Sequence, residues 1–119
     1  MRVADLAALE GILETVTPGD PAAEVTGAYT SDLLSDVLAH ARPGDVLVTI
    51  QAHRNTVAVA AIAGIRAIVL AHGRAAAPDM VGAAAAERIA ILRASAGQYE
   101  LSWRLHGALG GRRMDGGVD

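Results

Sequence analysis

Short β-branched runs recur from Val46 onward, at Val46-Leu47-Val48-Thr49-Ile50, Arg66-Ala67-Ile68-Val69-Leu70 and Ile89-Ala90-Ile91-Leu92. Runs of that length and composition, bounded by turn formers, predict strands covered on both faces, as in a parallel sheet. The segments between them predict helices. One runs from Thr56 to Ala63 and stops at Gly64, and another opens at Pro78-Asp79 and continues to about Arg88. Proline suits a first helical turn and glycine the position just past a last one. The first half is patterned more weakly. Residues 4–11 set Leu6, Leu9 and Ile12 at helical spacing, Leu13 to Thr17 alternates like a strand, and Pro18-Gly19-Asp20-Pro21 is a turn. Glu24 to Tyr29 reads as extended. Thr30 or Ser31 then caps a helix with Asp32 in its first turn and Leu33, Leu34, Val37 and Leu38 as its apolar stripe. Arg42-Pro43-Gly44-Asp45 ends that helix. A last helix carries Tyr99, Trp103, Leu105 and Leu109, and residues 110–119 are expected as a flexible tail.

Strands alternating with helices at this spacing predict an α/β fold, a three-layer α/β/α sandwich with a mainly parallel or mixed sheet of about five strands. At 119 residues there is room for one domain, expected over residues 1–109. Twenty-six alanines raise the mean hydropathy, so the β-branched clusters and turn signals carry more of the argument than the average does.

Composition narrows the chemistry by its zeros. The chain has no Cys, no Phe and no Lys, and all ten basic residues are Arg. Without Cys there is no disulfide framework, iron–sulfur cluster or thiol nucleophile. Without Lys there is no phosphate-gripping P-loop lysine and no Schiff-base chemistry. A net charge of −3, scattered arginines and three aromatics argue against a nucleic-acid partner. The N-terminal residues lack the basic and apolar regions of a signal peptide, and the longest apolar stretch, Thr56 to Ala71, is broken by Gly64 and Arg66. The expectation is a cytoplasmic protein with no membrane partner and no cofactor.

In a parallel α/β sheet, ligands gather where strand ends pass into helix starts, because unpaired backbone N–H groups point there. The most polar such junction is Thr49-Ile50-Gln51-Ala52-His53-Arg54-Asn55. A hydroxyl, a carboxamide, an imidazole and a guanidinium beside a helix start suit an anion or a nucleobase edge better than they suit bond breaking. The competing reading is structural: Asn55 caps the helix, His53 and Arg54 are solvated, and Gln51 satisfies the loop backbone. Asp32 and Asp36, one turn apart on the expected helix, would share a face, and Asp32 reaches the Gln51–Asn55 loop if their strands are neighbours. Histidines 40, 53, 72 and 106 show no metal-ligand spacing, and no serine sits in a Gly-x-Ser-x-Gly elbow. Tyr99 and Trp103, four apart, read as core or dimer contact.

Two stretches resemble a known family. Val25-Thr26-Gly27-Ala28-Tyr29-Thr30-Ser31-Asp32-Leu33-Leu34-Ser35-Asp36-Val37 and Val48-Thr49-Ile50-Gln51-Ala52-His53-Arg54-Asn55-Thr56-Val57-Ala58-Val59-Ala60, together with Ile68-Val69-Leu70, are similar to the DRTGG domain. The Asp32 to Val37 block carries the most specific part of the likeness. The resemblance implies a three-layer fold like the N-terminal domain of HPr kinase/phosphorylase. It also implies a regulatory part of the kind found beside nucleotide-sensing CBS domains, with no established catalytic residues. It aligns Arg54 with the family's arginine and puts His53 where the family has aspartate.

The reading that joins these strands is a stand-alone, non-catalytic regulatory domain that binds a small anionic ligand, an adenine nucleotide, and self-associates as a dimer. Gln51, His53, Arg54 and Asn55 would contact the ligand, with Asp32 and Thr49 in support. The alternative is a structural interaction or dimerisation module with a protein partner and no small-molecule ligand, docking through helix 31–41. A small enzyme pairing His53 with Asp32 requires those two side chains within hydrogen-bond reach in a pocket.

Overall fold

The β-branched runs form the middle of the molecule. The computed structural model describes residues 1–111. The chain runs through a 3-10 helix (Val3–Ala8), β1 (Ile12–Thr17), β2 (Gly27–Thr30), α1 (Leu34–His40), β3 (Asp45–Thr49), α2 (Arg54–Ala63), β4 (Ala67–Leu70), α3 (Pro78–Glu87), β5 (Ala90–Ala94) and α4 (Gln98–Ala108). The five strands make one sheet in the order β1-β5-β4-β3-β2. β2 through β5 are parallel neighbours, and β1 lies antiparallel to β5 with an irregular register.

Side-chain alternation along the strands feeds two cores. Leu47, Ile68, Leu70 and Ile91 point to one face, where Val37 of α1, Val57 and Ala60 of α2, and Met80 and Ala84 of α3 cover them. Val46, Val48, Val69 and Leu92 point to the other, under Val3 and Leu6 of the 3-10 helix and Leu101 and Leu105 of α4. The layers are therefore helices, mixed sheet, helices, as the alternation predicts. All residues of β3 and β4 are buried. Burying a Leu, Ile or Val in this way stabilises by about 1.5–3 kcal/mol each.

Two glycines hold the connections. Gly64 ends α2 in the left-handed region at φ 76°, and a Cβ there would lie 3.0 Å from Pro43. Gly19, in the turn after β1, lies so close to β5 that a Cβ would sit 2.4 Å from the amide nitrogen of Ala90.

Several local expectations change. The first helix is a 3-10 segment ending at Ala8, because Leu9 adopts extended angles. α1 begins at Leu34, not Ser31, since Leu33 is itself extended (φ −94°, ψ 107°). Neither Thr30 nor Ser31 caps it: the Thr30 hydroxyl pairs with Ser102 at 2.6 Å, and Ser31 Oγ accepts from the Leu33 amide within the loop at 3.2 Å. Of the α1 stripe, Val37 is buried whereas Leu33 and Leu38 are exposed. Tyr99 and Trp103 are not core but stand out from α4, which buries Leu101 and Leu105 instead. Gly110 and Gly111 turn the chain at the end of α4, and the tail expected beyond them, residues 112–119, lies outside the described residues. Among the described residues no helix is long and apolar enough to cross a membrane.

Candidate functional site

Because β2 to β5 are parallel, their carboxyl ends share one edge. Four loops meet there, and backbone hydrogen bonds join them side by side. Ser31 N donates to Val48 O (3.2 Å), Ala71 N to Thr49 O (3.0 Å), Ala77 N to Ala52 O (3.4 Å), and His72 N to Ala96 O (2.9 Å). The chain leaves β5 for α4 on the opposite face from α1, α2 and α3.

Asp32 sits at the centre of the edge. One of its oxygens, Oδ1, accepts from Thr49 Oγ1, the Ile50 amide and Gln98 Nε2, each at 2.9 Å. Its backbone carbonyl accepts from Gln51 Nε2, also at 2.9 Å. One residue thus ties the end of β3, the loop into α2 and the start of α4 to the end of β2. Burial alone would raise the Asp32 carboxyl. The Ile50 amide, the Thr49 hydroxyl and the Gln98 amide, with the Arg74 guanidinium beyond them, outweigh it and hold the group below its ordinary range.

Gln51 extends the network. Its carboxamide nitrogen serves Asp32, so its oxygen is the acceptor for His53 Nε2 at 2.5 Å. His53 therefore carries a hydrogen on Nε2, and in the neutral ring Nδ1 is left as an acceptor. The Gln51 amide donates to Thr49 Oγ1 (3.1 Å), and Thr56 Oγ1 donates back to Gln51 O (2.8 Å). Arg54 and Asn55, the first two residues of α2, are exposed, and their side chains make no hydrogen bond among the described residues.

The structure brings Asp32, Thr49, Gln51 and His53 into one bonded cluster with Arg54 and Asn55 beside it. Two expectations fail, and the pairing that the enzyme alternative required is not made. Asp32 is in the loop before α1 and shares no helix face with Asp36, which instead accepts from Tyr29 OH (2.8 Å) and His40 Nδ1 (3.0 Å). Asn55 does not cap α2, because the helix starts two residues earlier than expected, at Arg54, and His53 holds the cap position. His53 bonds Gln51 while the Asp32 carboxylate is occupied by other donors, so the two make no acid–base pair. Sequence reasoning missed Gln98, His72 and Arg74. Gln98 lies 66 residues from Asp32, and its one signal is an amide directly after the Gly97 that precedes α4. His72 has φ 58°, and its ring lies against Gly97.

Among the described residues, grooves of about 350, 110, 230 and 290 Å³ border the 3-10 helix, the sheet edges and α4, and none of these includes the Asp32 cluster. No group of three or more metal-ligating side chains occurs among the described residues.

The fold and its edge define a three-layer α/β domain rather than any one protein. No protein-family model and no curated protein matches the chain. Among solved structures it is similar to the CBS and DRTGG domains of the regulatory region of Clostridium perfringens pyrophosphatase, a structure complexed with the activator diadenosine tetraphosphate. The identity is 10% and the TM-score 0.54. The match covers 66% of this chain and 34% of that one, so the likeness is one of fold over about a third of the neighbour.

Proposed function

We propose that this chain is a DRTGG-like regulatory domain, spanning residues 1–109, that binds an adenine nucleotide at the carboxyl edge of its sheet without chemically changing it. One observation carries the reading. The Asp32 network spends its polar groups on holding the loops, while Arg54 and Asn55 remain exposed and unbonded at the start of α2. An arginine and a carboxamide beside free helix-end amides suit a phosphate group. Gln51 and His53 border the same position, and Asp32 and Thr49 set the loop that carries them. The solved neighbour, complexed with a dinucleotide activator, supports both the regulatory role and the ligand class.

The test is thermal unfolding against adenosine mono-, di- and triphosphates and dinucleoside polyphosphates. A ligand present at about 100 times its dissociation constant stabilises the fold by about 2.7 kcal/mol, a shift of several degrees. The shift should vanish in Arg54→Ala and shrink in Asn55→Ala. A second reading, an interaction module with no small-molecule ligand, is favoured by exposed Leu38 on α1 and exposed Leu33 just before it. It predicts a flat panel and a protein partner that Leu38→Ser releases.

A further inference from the structure

β2 is an outer strand of the sheet, with β3 on one side and no strand on the other. Its pairing decides which backbone groups are left over. Thr30 stands opposite Val48 in the register, and Ser31 N donates to Val48 O. Successive residues of a strand alternate in direction, so Gly27, Tyr29 and Ser31 turn their amides and carbonyls to β3, and Ala28 and Thr30 turn theirs outward. Among the described residues nothing hydrogen-bonds the Ala28 or Thr30 backbone on that side.

The same two residues line a cavity. A pocket of about 110 Å³ lies between the free edge and α4, walled by Ala28, Thr30, Ser102, His106 and Leu109. The last three recur at helical spacing and stand on one face of α4. Ser102 Oγ donates to Gln98 O at 2.6 Å. In its 2.6 Å contact with Thr30 Oγ1 it therefore accepts. Both hydroxyl hydrogens are spent inside the fold. The edge then offers the Ala28 carbonyl as acceptor and, next along the strand, the Thr30 amide as donor.

We propose that this pocket takes the adenine ring of the ligand, in the plane of the sheet, with the 6-amino group donating to Ala28 O and N1 accepting from Thr30 N–H. An adjacent acceptor and donor match that edge of adenine and mismatch hypoxanthine, which has an oxygen at position 6 and a hydrogen on N1. Size agrees. Pockets for whole ligands start at about 300 Å³, so this one holds a single flat ring and leaves the rest of the nucleotide outside. With two outward residues the edge is too short for an added peptide strand of the usual five or six residues or so. Leu109 and the His106 ring supply the surface on which the base lies. The ligand's identity rests on the nucleotide reading above. Thr30 lies two residues before Asp32, and Ser102 one turn after the Gln98 that bonds it, so the pocket adjoins the loop that Asp32 fixes.

The experiment is an amide-resolved NMR titration with adenosine and with inosine, neither of which carries a phosphate. Adenosine should move the Ala28 and Thr30 amides saturably, with a dissociation constant of about 1 mM or tighter. Inosine should bind at least about tenfold more weakly. Thr30→Pro removes the amide hydrogen at a position where no ladder bond is lost. It should bind adenosine about tenfold more weakly than Thr30→Val, since both lack the hydroxyl and only proline lacks the donor. If the proline variant does not melt cooperatively, the adenosine–inosine comparison on the wild type decides alone. Equal affinity for the two nucleosides overturns the proposal. So do amides that adenosine leaves unmoved up to about 10 mM; an adenosine phosphate that still binds through Arg54 then leaves the phosphate reading standing. Adenosine bound at Thr30 with no gain from added phosphates supports the base site and removes the phosphate reading instead.

Discussion

Asp32→Ala removes the acceptor that three elements share. The wild-type Oδ1 takes hydrogen bonds from the Thr49 hydroxyl, the Ile50 amide and the Gln98 amide. A bond to a charged acceptor contributes about 1.5–3 kcal/mol net. Three donors divide one charge at a site partly open to water, so about 1 kcal/mol each is the better figure, or about 3 kcal/mol in all. For a domain of this size that lowers the unfolding midpoint by roughly 12 °C. The acid dependence supplies a second readout. The folded-state pKa of Asp32 lies below its unfolded value. Its contribution is therefore complete above the ordinary carboxylate range and is lost as pH falls through and below it. Circular dichroism melts near pH 7 and near pH 3 should show the variant's deficit shrinking with acid. A midpoint within about 2 °C of wild type near pH 7, or a deficit that does not change with pH, would refute the view that Asp32 holds the edge together.

Three further outcomes follow from the packing and the charges. Ile68→Ala, in fully buried β4, should cost about 2–5 kcal/mol in chemical denaturation, because little around it can collapse into the cavity. Gly64→Ala should cost about 1–2 kcal/mol, combining a left-handed angle with a Cβ 3.0 Å from Pro43. Asp45 behaves oppositely to Asp32. Burial raises its carboxyl, against the Arg42 amide and charge that lower it, so its contribution is present at low pH and lost as pH rises through the raised value. Asp45→Asn should therefore gain in unfolding midpoint relative to wild type between about pH 4 and pH 7.

Much of the fold was legible because its strongest signals are local. Val46 to Val48 and Ile68 to Leu70 are apolar on both sides, and only a strand buried between two helix layers satisfies them. Gly64 and Pro78 mark helix limits by backbone preferences that tertiary structure does not override. Partnership was not legible in the same way. β1 pairs with β5 across about eighty residues, and nothing in its alternation says which edge it joins. The candidate site divides along the same line. The β3-to-α2 junction announces itself by composition, and the neighbouring of β2 and β3 brings Asp32 to it. The role of Asp32 was misassigned because Ser31-Asp32 looks like a helix start, and only the extended angles of Leu33 show that the helix begins later. Gln98 and Arg74 depend on long-range loop placement that periodicity does not encode.

The central claim is that Arg54 and Asn55 hold a nucleotide phosphate on a loop that Asp32 fixes. Isothermal titration of diadenosine tetraphosphate and of the adenosine mono-, di- and triphosphates into the wild-type chain and into an Arg54→Ala/Asn55→Ala double variant tests it most directly. The account predicts saturable binding of at least one of them to the wild type, with affinity reduced by about a hundredfold or more in the double variant, the loss of one charge-assisted pair and one hydrogen bond. No binding to the wild type, or equal binding to both chains, would contradict it.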